Sequence, residues 1–152
     1  MKHPIAKYKL GPSVAGVYGL EKKGKIPLPL FSCGVSAGFP SPADDYIGQQ
    51  LDLNDLLIRN PAATFFVRVA GDSMSGAGIN DKDILVIDRS LEPLHGKIII
   101  AALNGELTVK RLVRKEHCCR LVAEHPDYPS IEVTEDLSCV VWGVVTSVIH
   151  QF

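Results

Sequence analysis

Long apolar runs, paired cysteine motifs and excess charge are all missing from this chain of 152 residues. No run of 18 apolar residues occurs, and the N-terminal apolar residues are interrupted by Lys7, Lys9, Gly11 and Pro12, so we expect neither a membrane span nor an export signal. The net charge of −1 provides no strong overall field that would attract nucleic acid. Membrane and nucleic-acid partners are therefore not indicated by composition.

The cysteines are too few and too poorly spaced for a scaffold or a metal site. Four occur, at Cys33, Cys118, Cys119 and Cys139, and none forms a CxxC pair. Adjacent cysteines rarely bridge, so we expect reduced thiols in a cytoplasmic protein, and no metal or other cofactor.

Charge is small overall but unevenly distributed. Residues 1–37 carry six lysines and one acidic residue, a balance of +5, whereas residues 38–152 carry ten basic and sixteen acidic residues, a balance of −6. A basic arm is therefore joined to an acidic body. Whether the arm is merely a solvated tail or has a specific role stays open at this level.

Prolines and glycines concentrate in the first 50 residues, which predicts an extended arm that is partly β-like, at residues 15–20. The segment 51–61 predicts one short helix, capped by Asp52 or Asn54 and stopped by Pro61.

Short segments rich in β-branched residues fill the rest of the chain and are separated by turn signals. They are residues 64–70, 83–88, 97–103, 106–113, 119–124, 131–134 and 139–150. Seven strands at this spacing predict a mostly β fold, a small and strongly bent sheet or partial barrel. Asn104–Gly105 predicts a tight hairpin between two of the strands.

One serine stands out in the sequence "RVAGDSMSGAGINDKDILVID". Ser73 follows a predicted strand on a turn flanked by glycine, where backbone N–H groups can converge as an oxyanion hole requires. A serine hydroxyl is a poor nucleophile unless a base removes its proton.

Two kinds of side chain could serve as that base. The histidines at 95, 117, 125 and 150 lie in contexts that single none of them out. Lys110 lies within the strand "GELTVKRLV", where burial would favour its neutral form. Its pKa would have to fall by about three units from a value near 10.4, a difference of roughly 4 kcal/mol. From the residues alone, an ordinary turn and a lysine reaching to solvent remain the commoner interpretation.

Longer motifs in the chain carry a family resemblance. "AGDSM", "GINDKDILVID" and "GKIIIAALNGELTVKRL", with the lysine 37 positions after the serine, resemble the self-cleaving serine peptidases of the LexA/UmuD family. "AGFPSPADDYIGQQLDLNDLLIRN" and "WGVVTSVI" resemble the UmuD group within it. The resemblance runs from about Pro29 to the C-terminus and implies a LexA-like C-terminal peptidase fold.

The resemblance also implies roles for individual residues. Ser73 would be the nucleophile, Lys110 the general base, and the amides of Asp72 and Ser73 the oxyanion hole. The scissile bond would be Ala37–Gly38, directly before "FPSP", with Cys33–Gly34 as a rival. Lys97 has no family counterpart as a base.

Two domains follow from this assignment: residues 1–37, an arm removed by self-cleavage, and residues 38–152, a domain of Ser/Lys peptidase fold. Residues 38–72 connect the bond to the serine and, as a flexible chain, span roughly 30–35 Å, so the bond can reach the chain's own site or a neighbour's. Whether the cut occurs within one chain or between two stays open.

The resemblance implies partners as well. They are a second copy in a homodimer, a RecA–single-stranded-DNA filament that stimulates cleavage after DNA damage, and a UmuC-like Y-family polymerase subunit for translesion synthesis. A LexA-like repressor is the alternative, but it needs a helix-turn-helix domain ahead of the cut, and residues 1–37 hold four prolines and five glycines, so we expect no sequence-specific DNA binding. A signal peptidase would need a membrane anchor, and a pure binding module would not need both reactive side chains.

Overall fold

The computed structural model describes residues 7–21, 24–31 and 47–152. These residues form two compact units, which are treated separately: the described part of Met1–Leu20 together with Asn60–Phe152, and the described part of Glu21–Arg59.

Strands dominate both units. In chain order they are β1 (Lys9–Leu10), β2 (Val14–Gly19), β3 (Pro27–Phe31), β4 (Ile47–Asp52), β5 (Thr64–Val69), β6 (Ile84–Asp88), β7 (Ile98–Leu103), β8 (Glu106–Lys115), β9 (Cys118–Val122), β10 (Ile131–Glu132) and β11 (Cys139–Ile149).

The larger unit is built on one curled sheet. Its strand order is β10-β9-β8-β7-β11-β6-β5-β2, all antiparallel, while β1 adds to β8 in parallel. Because β1 lies on β8 while β2, only three residues later, lies on β5, the two ends of the sheet are brought towards each other. The expected strongly bent sheet is confirmed as a half-barrel of LexA-like type.

All seven strands expected after residue 63 are present, with their ends moved by at most two residues, and β7 and β8 are joined by the expected hairpin. Asn104 and Gly105 have φ values of 47° and 87°, as a turn with two left-handed residues requires.

The sheet has nine strands rather than about seven, because the N-terminal segment contributes β1 and β2. Strand β2 lies in the part of the arm expected to be β-like. Strand β1 was missed because two residues carry no periodic signal.

Apolar side chains cover both faces of the sheet. The main cluster centres on Phe65, Leu85, Ile100 and Val109, and a second cluster centres on Ile99. Neighbours in β7 therefore point into different clusters, which explains why the run "KIIIAAL" is apolar throughout rather than alternating.

The smaller unit contains the antiparallel pair β3–β4 and the helix α1 (Leu53–Leu57). Asp52 is the helix N-cap, since its carboxylate accepts from the amide of Asn54 at 2.8 Å, and it also accepts from the amide of Ile26 at 2.9 Å. Strand β3 was not predicted, because Pro27 and Pro29 argue against a strand.

Candidate active site

The loop that carries Ser73 begins where β5 ends. Gly71 has a φ of +75°, a conformation that favours glycine, and its amide donates to Asp81 Oδ1 at 2.8 Å. The side chains of Met74 and Ile79, each 1% exposed, anchor the loop in the main core. The chain therefore turns sharply at Gly71 and holds Ser73 between a strand end and two buried anchors.

A second set of contacts ties this loop to the segment after β9. The Ser73 carbonyl accepts from the amide of Glu124 at 2.9 Å, and the Gly76 amide donates to the carbonyl of Glu124 at 2.7 Å. A Cβ on Gly76 would lie 2.6 Å from that carbonyl oxygen, so only glycine fits without movement. The side chain of Glu124 is in turn paired with Arg111 of β8. The backbone at Ser73 is thus fixed to the same strand that carries Lys110.

Lys110 is a buried lysine of β8, 7% exposed, and it has no ion-pair partner in the described part of the chain. Its Nζ donates to Thr108 Oγ1 at 3.1 Å and to the carbonyl of Val109 at 3.0 Å. Burial lowers the pKa of Lys110 below its ordinary value, because desolvation disfavours the ammonium form.

Ser73 and Lys110 line the same small cavity, of about 80 Å³. Ser73 is 6% exposed, so both side chains are largely withdrawn from bulk water. The amine of Lys110 is bonded to Thr108 and Val109, and no hydrogen bond joins it to the Ser73 hydroxyl. Pairs that react through a proton transfer are often loose without substrate and tighten when it binds.

The hydrogen-bond partners of Lys110 are compatible with the neutral amine. A neutral amine has two N–H donors and one lone pair, whereas an ammonium ion has three donors and no lone pair. Thr108 and Val109 provide two acceptors, which satisfy the two donors of the neutral form. In that neutral form the lone pair of Nζ is free to accept a proton from a donor within the cavity.

Asp72, immediately before Ser73, is held by the segment after β9. Tyr128 donates its hydroxyl hydrogen to Asp72 Oδ1 at 2.7 Å, and His125 Nε2 lies 3.7 Å from Asp72 Oδ2. The hydrogen bond from Tyr128 lowers the pKa of Asp72, and the same contact raises the pKa of Tyr128. The amide of Asp72 donates to its own carboxylate, whereas the amide of Ser73 donates to no other described backbone group, so the oxyanion hole stays a prediction.

A larger cavity of about 390 Å³ adjoins the first. The two share Pro12, Thr108, Lys110 and Tyr128, and the larger one extends past Leu107 and Ile131. It offers space for a peptide segment beside the amine of Lys110.

Other residues considered from the sequence lie elsewhere. Lys97 is exposed and does not line the cavity of Ser73. His150 contacts Asp83 at 2.5 Å. The bonds Ala37–Gly38 and Cys33–Gly34 fall outside the described residues. Within the described ranges, no three potential metal-ligating side chains are grouped.

Sequence reasoning missed three polar residues that line the cavity: Ser13, Thr108 and Tyr128. Thr108 had a usable signal, because a residue two positions before Lys110 on a strand shares its face. Ser13 and Tyr128 had none, since they reach the site from 97 and 18 positions away from Lys110, respectively.

No helix in the described part of the chain has the length and apolar character needed to cross a bilayer.

A curled half-barrel that brings a loop serine and a buried strand lysine to one cavity is typical of LexA-like peptidase domains. The peptidase S24-like family model matches residues 29–146, and the chain belongs to this family. Membership confirms the family identified from the sequence and supports a self-cleaving serine peptidase.

Similar proteins cover most of the chain. Protein ImpA of Salmonella typhimurium is 48% identical over 81% of this chain and 83% of its own length. Protein SamA of the same species is 48% identical over 81% and 85%. The LexA repressor of Cupriavidus pinatubonensis is 39% identical over 77% of this chain but 54% of its own length.

Proposed function

We propose that the chain is a UmuD-like protein of the SOS response, which cuts its own backbone at Ala37–Gly38 when stimulated by a RecA–single-stranded-DNA filament. The shortened homodimer then serves as the accessory subunit of an error-prone Y-family polymerase in translesion synthesis. The observation that carries the proposal is the shared cavity of Ser73 and Lys110, with the amine buried and without a counter-ion among the described residues.

In this mechanism the neutral amine of Lys110 takes the proton of the Ser73 hydroxyl as Oγ attacks the carbonyl carbon of Ala37. Negative charge develops on the carbonyl oxygen, where the amides of Asp72 and Ser73 stabilise it. The new ammonium of Lys110 returns its proton to the departing nitrogen of Gly38. Water, deprotonated by the same amine, then hydrolyses the ester between Ala37 and Ser73.

Regulation by a filament is consistent with a site whose catalytic residues are already in place but which cleaves slowly by itself. The substrate is tethered to the enzyme, which raises its effective concentration and makes even a modestly active pair sufficient for one cut. Cleavage then requires only that the scissile bond be held in the cavity beside Ser73. A filament that favours this conformation accelerates the reaction without contributing a catalytic group.

The repressor alternative receives less support. Identity to the LexA repressor is lower than to ImpA and SamA, and the match spans a smaller share of LexA. In the described ranges 7–21 and 24–31 no α-helix occurs, so no recognition helix is found there.

The proposal is tested by incubating purified full-length protein at pH 7–10, with and without a RecA–DNA filament, and weighing the products by mass spectrometry. We expect fragments 1–37 and 38–152, formed faster at high pH or with the filament. Ser73→Ala and Lys110→Ala should abolish the cut, whereas Lys97→Ala, which changes an exposed lysine, should retain it. Cleavage that survives Ser73→Ala, or a rate that does not change with pH, contradicts the assignment.

Partner choice is tested by comparing the two forms. The cut lowers the net charge from −1 to about −6 because the arm carries +5. We expect the 38–152 form and a full-length Ser73→Ala protein to bind the polymerase partner with different affinities. Equal affinities would count against the accessory-subunit role.

A further inference from the structure

Ser13 lies in the turn between β1 and β2, within the segment that the proposed cut removes, yet it is buried beside the catalytic strand. Its side chain is 5% exposed. Ser13 Oγ accepts from the amide of Val109 at 3.1 Å and lies 3.0 Å from Thr108 Oγ1. Two successive hydrogen bonds, through Thr108 Oγ1, connect Ser13 Oγ to the amine of Lys110.

The backbone of Ser13 makes a contact on the other side of the cavity. Its carbonyl oxygen accepts from the amide of Ala70 at 3.1 Å, immediately before the loop that carries Ser73. One residue therefore bonds both to the segment that leads into the nucleophile and to the strand that carries the base.

Close packing holds this turn in place. The Gly11 amide donates to the carbonyl of Leu107 at 3.0 Å, and a Cβ on Gly11 would lie only 2.3 Å from that oxygen. Val14, the next residue after Ser13, is 3% exposed in the main core. The position of Ser13 is thus set by neighbours on both sides.

We propose that Ser13 is a positioning residue for self-cleavage, supplied by the arm that the reaction releases. The inference rests on the proposed roles of Ser73 and Lys110. Ser13 Oγ accepts the hydroxyl hydrogen of Thr108, which turns a lone pair of Thr108 Oγ1 towards Lys110 Nζ. That lone pair holds one N–H of the amine, and the amine's own lone pair stays directed into the cavity.

The assignment has a consequence for the product. Release of residues 1–37 removes Ser13 and its hydrogen bonds to Val109, Thr108 and Ala70. The peptidase is then complete only while its arm is bound, so release of the arm after the cut removes part of the site.

The test measures self-cleavage of full-length variants across pH 7–10. Ser13→Ala should cleave about tenfold more slowly at neutral pH, because it loses the buried hydrogen bonds of Ser13 Oγ to Val109 and Thr108. Its rate profile should move to higher pH, because water that fills the vacated space hydrates the amine. The other titratable groups are Asp72 and Tyr128 in the smaller cavity and Glu106 in the larger one, and this substitution changes none of them. Ser13→Thr, which keeps the hydroxyl, should restore the rate to within about threefold of the original.

A matched control removes a buried hydroxyl of the same unit that does not line the cavity of Ser73. Thr64 is buried at the start of β5 and donates to the carbonyl of Asn60 at 2.7 Å. Thr64→Val should lower stability without moving the pH profile of cleavage. The folded fraction of each variant is followed by the fluorescence of Trp142, the single tryptophan of the chain.

Several outcomes separate the inference from the function on which it rests. If Ser13→Ala cleaves at the original rate, or cleaves more slowly with an unchanged pH profile, the positioning role of Ser13 is wrong. The proposed function is not affected by that result. A parent protein that is never cut, or is cut despite Ser73→Ala, overturns the proposed function. If Ser13→Ala does not fold, Ser13→Cys tests the positioning role instead. Cysteine has a side chain of similar shape to serine, but its sulfur accepts hydrogen bonds only weakly. Ser13→Cys should be slower than Ser13→Thr, and equal rates with equal pH profiles overturn the role.

Discussion

Tyr128 donates a 2.7 Å hydrogen bond to the carboxylate of Asp72, although 56 positions separate the two residues. The contact restrains the carboxylate of Asp72, and we expect it to limit movement of the peptide between residues 72 and 73. A rigid peptide at this point is what a preorganised oxyanion hole requires.

Loss of that hydroxyl should slow cleavage without abolishing it. Tyr128→Phe should reduce the rate about two- to fivefold, as expected for one partly solvated hydrogen bond. The pKa of Asp72 should rise towards its ordinary value, which carbon-detected NMR titration measures. Tyr18→Phe, a change at a half-exposed tyrosine of β2, is the control and should match the parent. An unchanged Asp72 pKa in Tyr128→Phe contradicts the argument.

Gly76 should tolerate no side chain. Gly76→Ala places a Cβ against the carbonyl of Glu124, and the strain should cost about 1–3 kcal/mol in the free energy of unfolding. Because the same carbonyl anchors the loop of Ser73, cleavage should also slow. Urea denaturation and cleavage assays report the two effects. Gly19→Ala, where no atom lies within 4 Å of the added Cβ, is the matched control. Equal behaviour of the two variants would show that the loop adapts freely.

Burial of Lys110 should make stability depend on pH. Desolvation lowers the pKa of Lys110, so between that lowered value and the ordinary value of 10.5 the folded chain binds fewer protons than the unfolded chain. The free energy of unfolding therefore rises with pH across this window. In the uncleavable Ser73→Ala protein, urea denaturation should show this rise, and adding Lys110→Met should remove it. A constant difference between the two proteins across pH 7–10 would disprove a lowered pKa.

The position of the cut can be tested at the two candidate glycines. Gly38→Arg should reduce cleavage below roughly one tenth, because a bulky charged residue displaces the scissile bond from the serine. Gly34→Arg should have a smaller effect, since it lies four residues before the expected bond. Product masses identify the bond directly. The reverse order of the two effects would move the assignment to Cys33–Gly34.

The sequence predicted best the elements whose signals are local. The strands after residue 63 are short, β-branched and separated by turn residues, so both their existence and their approximate ends follow from pattern alone. Asn104–Gly105 specifies its own turn. In contrast, β1 has two residues and β3 contains two prolines, so their strand conformation depends on pairing with β8 and β4 rather than on propensity.

The residues of the candidate site also fall into those with a local sequence signal and those without one. Ser73 and Lys110 were identified because each lies in a distinctive motif, and the fold brings them to one cavity. Ser13 and Tyr128 occupy ordinary sequence contexts, and only the closure of the sheet brings them to that cavity. Such residues carry no signal until the long-range pairing of strands is known.

Because Val14 is buried, hydrolysis of the backbone and departure of the arm are separate steps. Hydrolysis severs the backbone, but the arm's side chain remains in the apolar interior, and β2 remains hydrogen-bonded to β5. Departure of the arm requires that β2 lose its hydrogen bonds to β5 and that Val14 become exposed to water. Exposure of the Val14 side chain alone costs about 1.5–3 kcal/mol of free energy. A nicked but still assembled molecule should therefore persist after cleavage, and the lifetime of that intermediate sets the delay between chemistry and any change of partner.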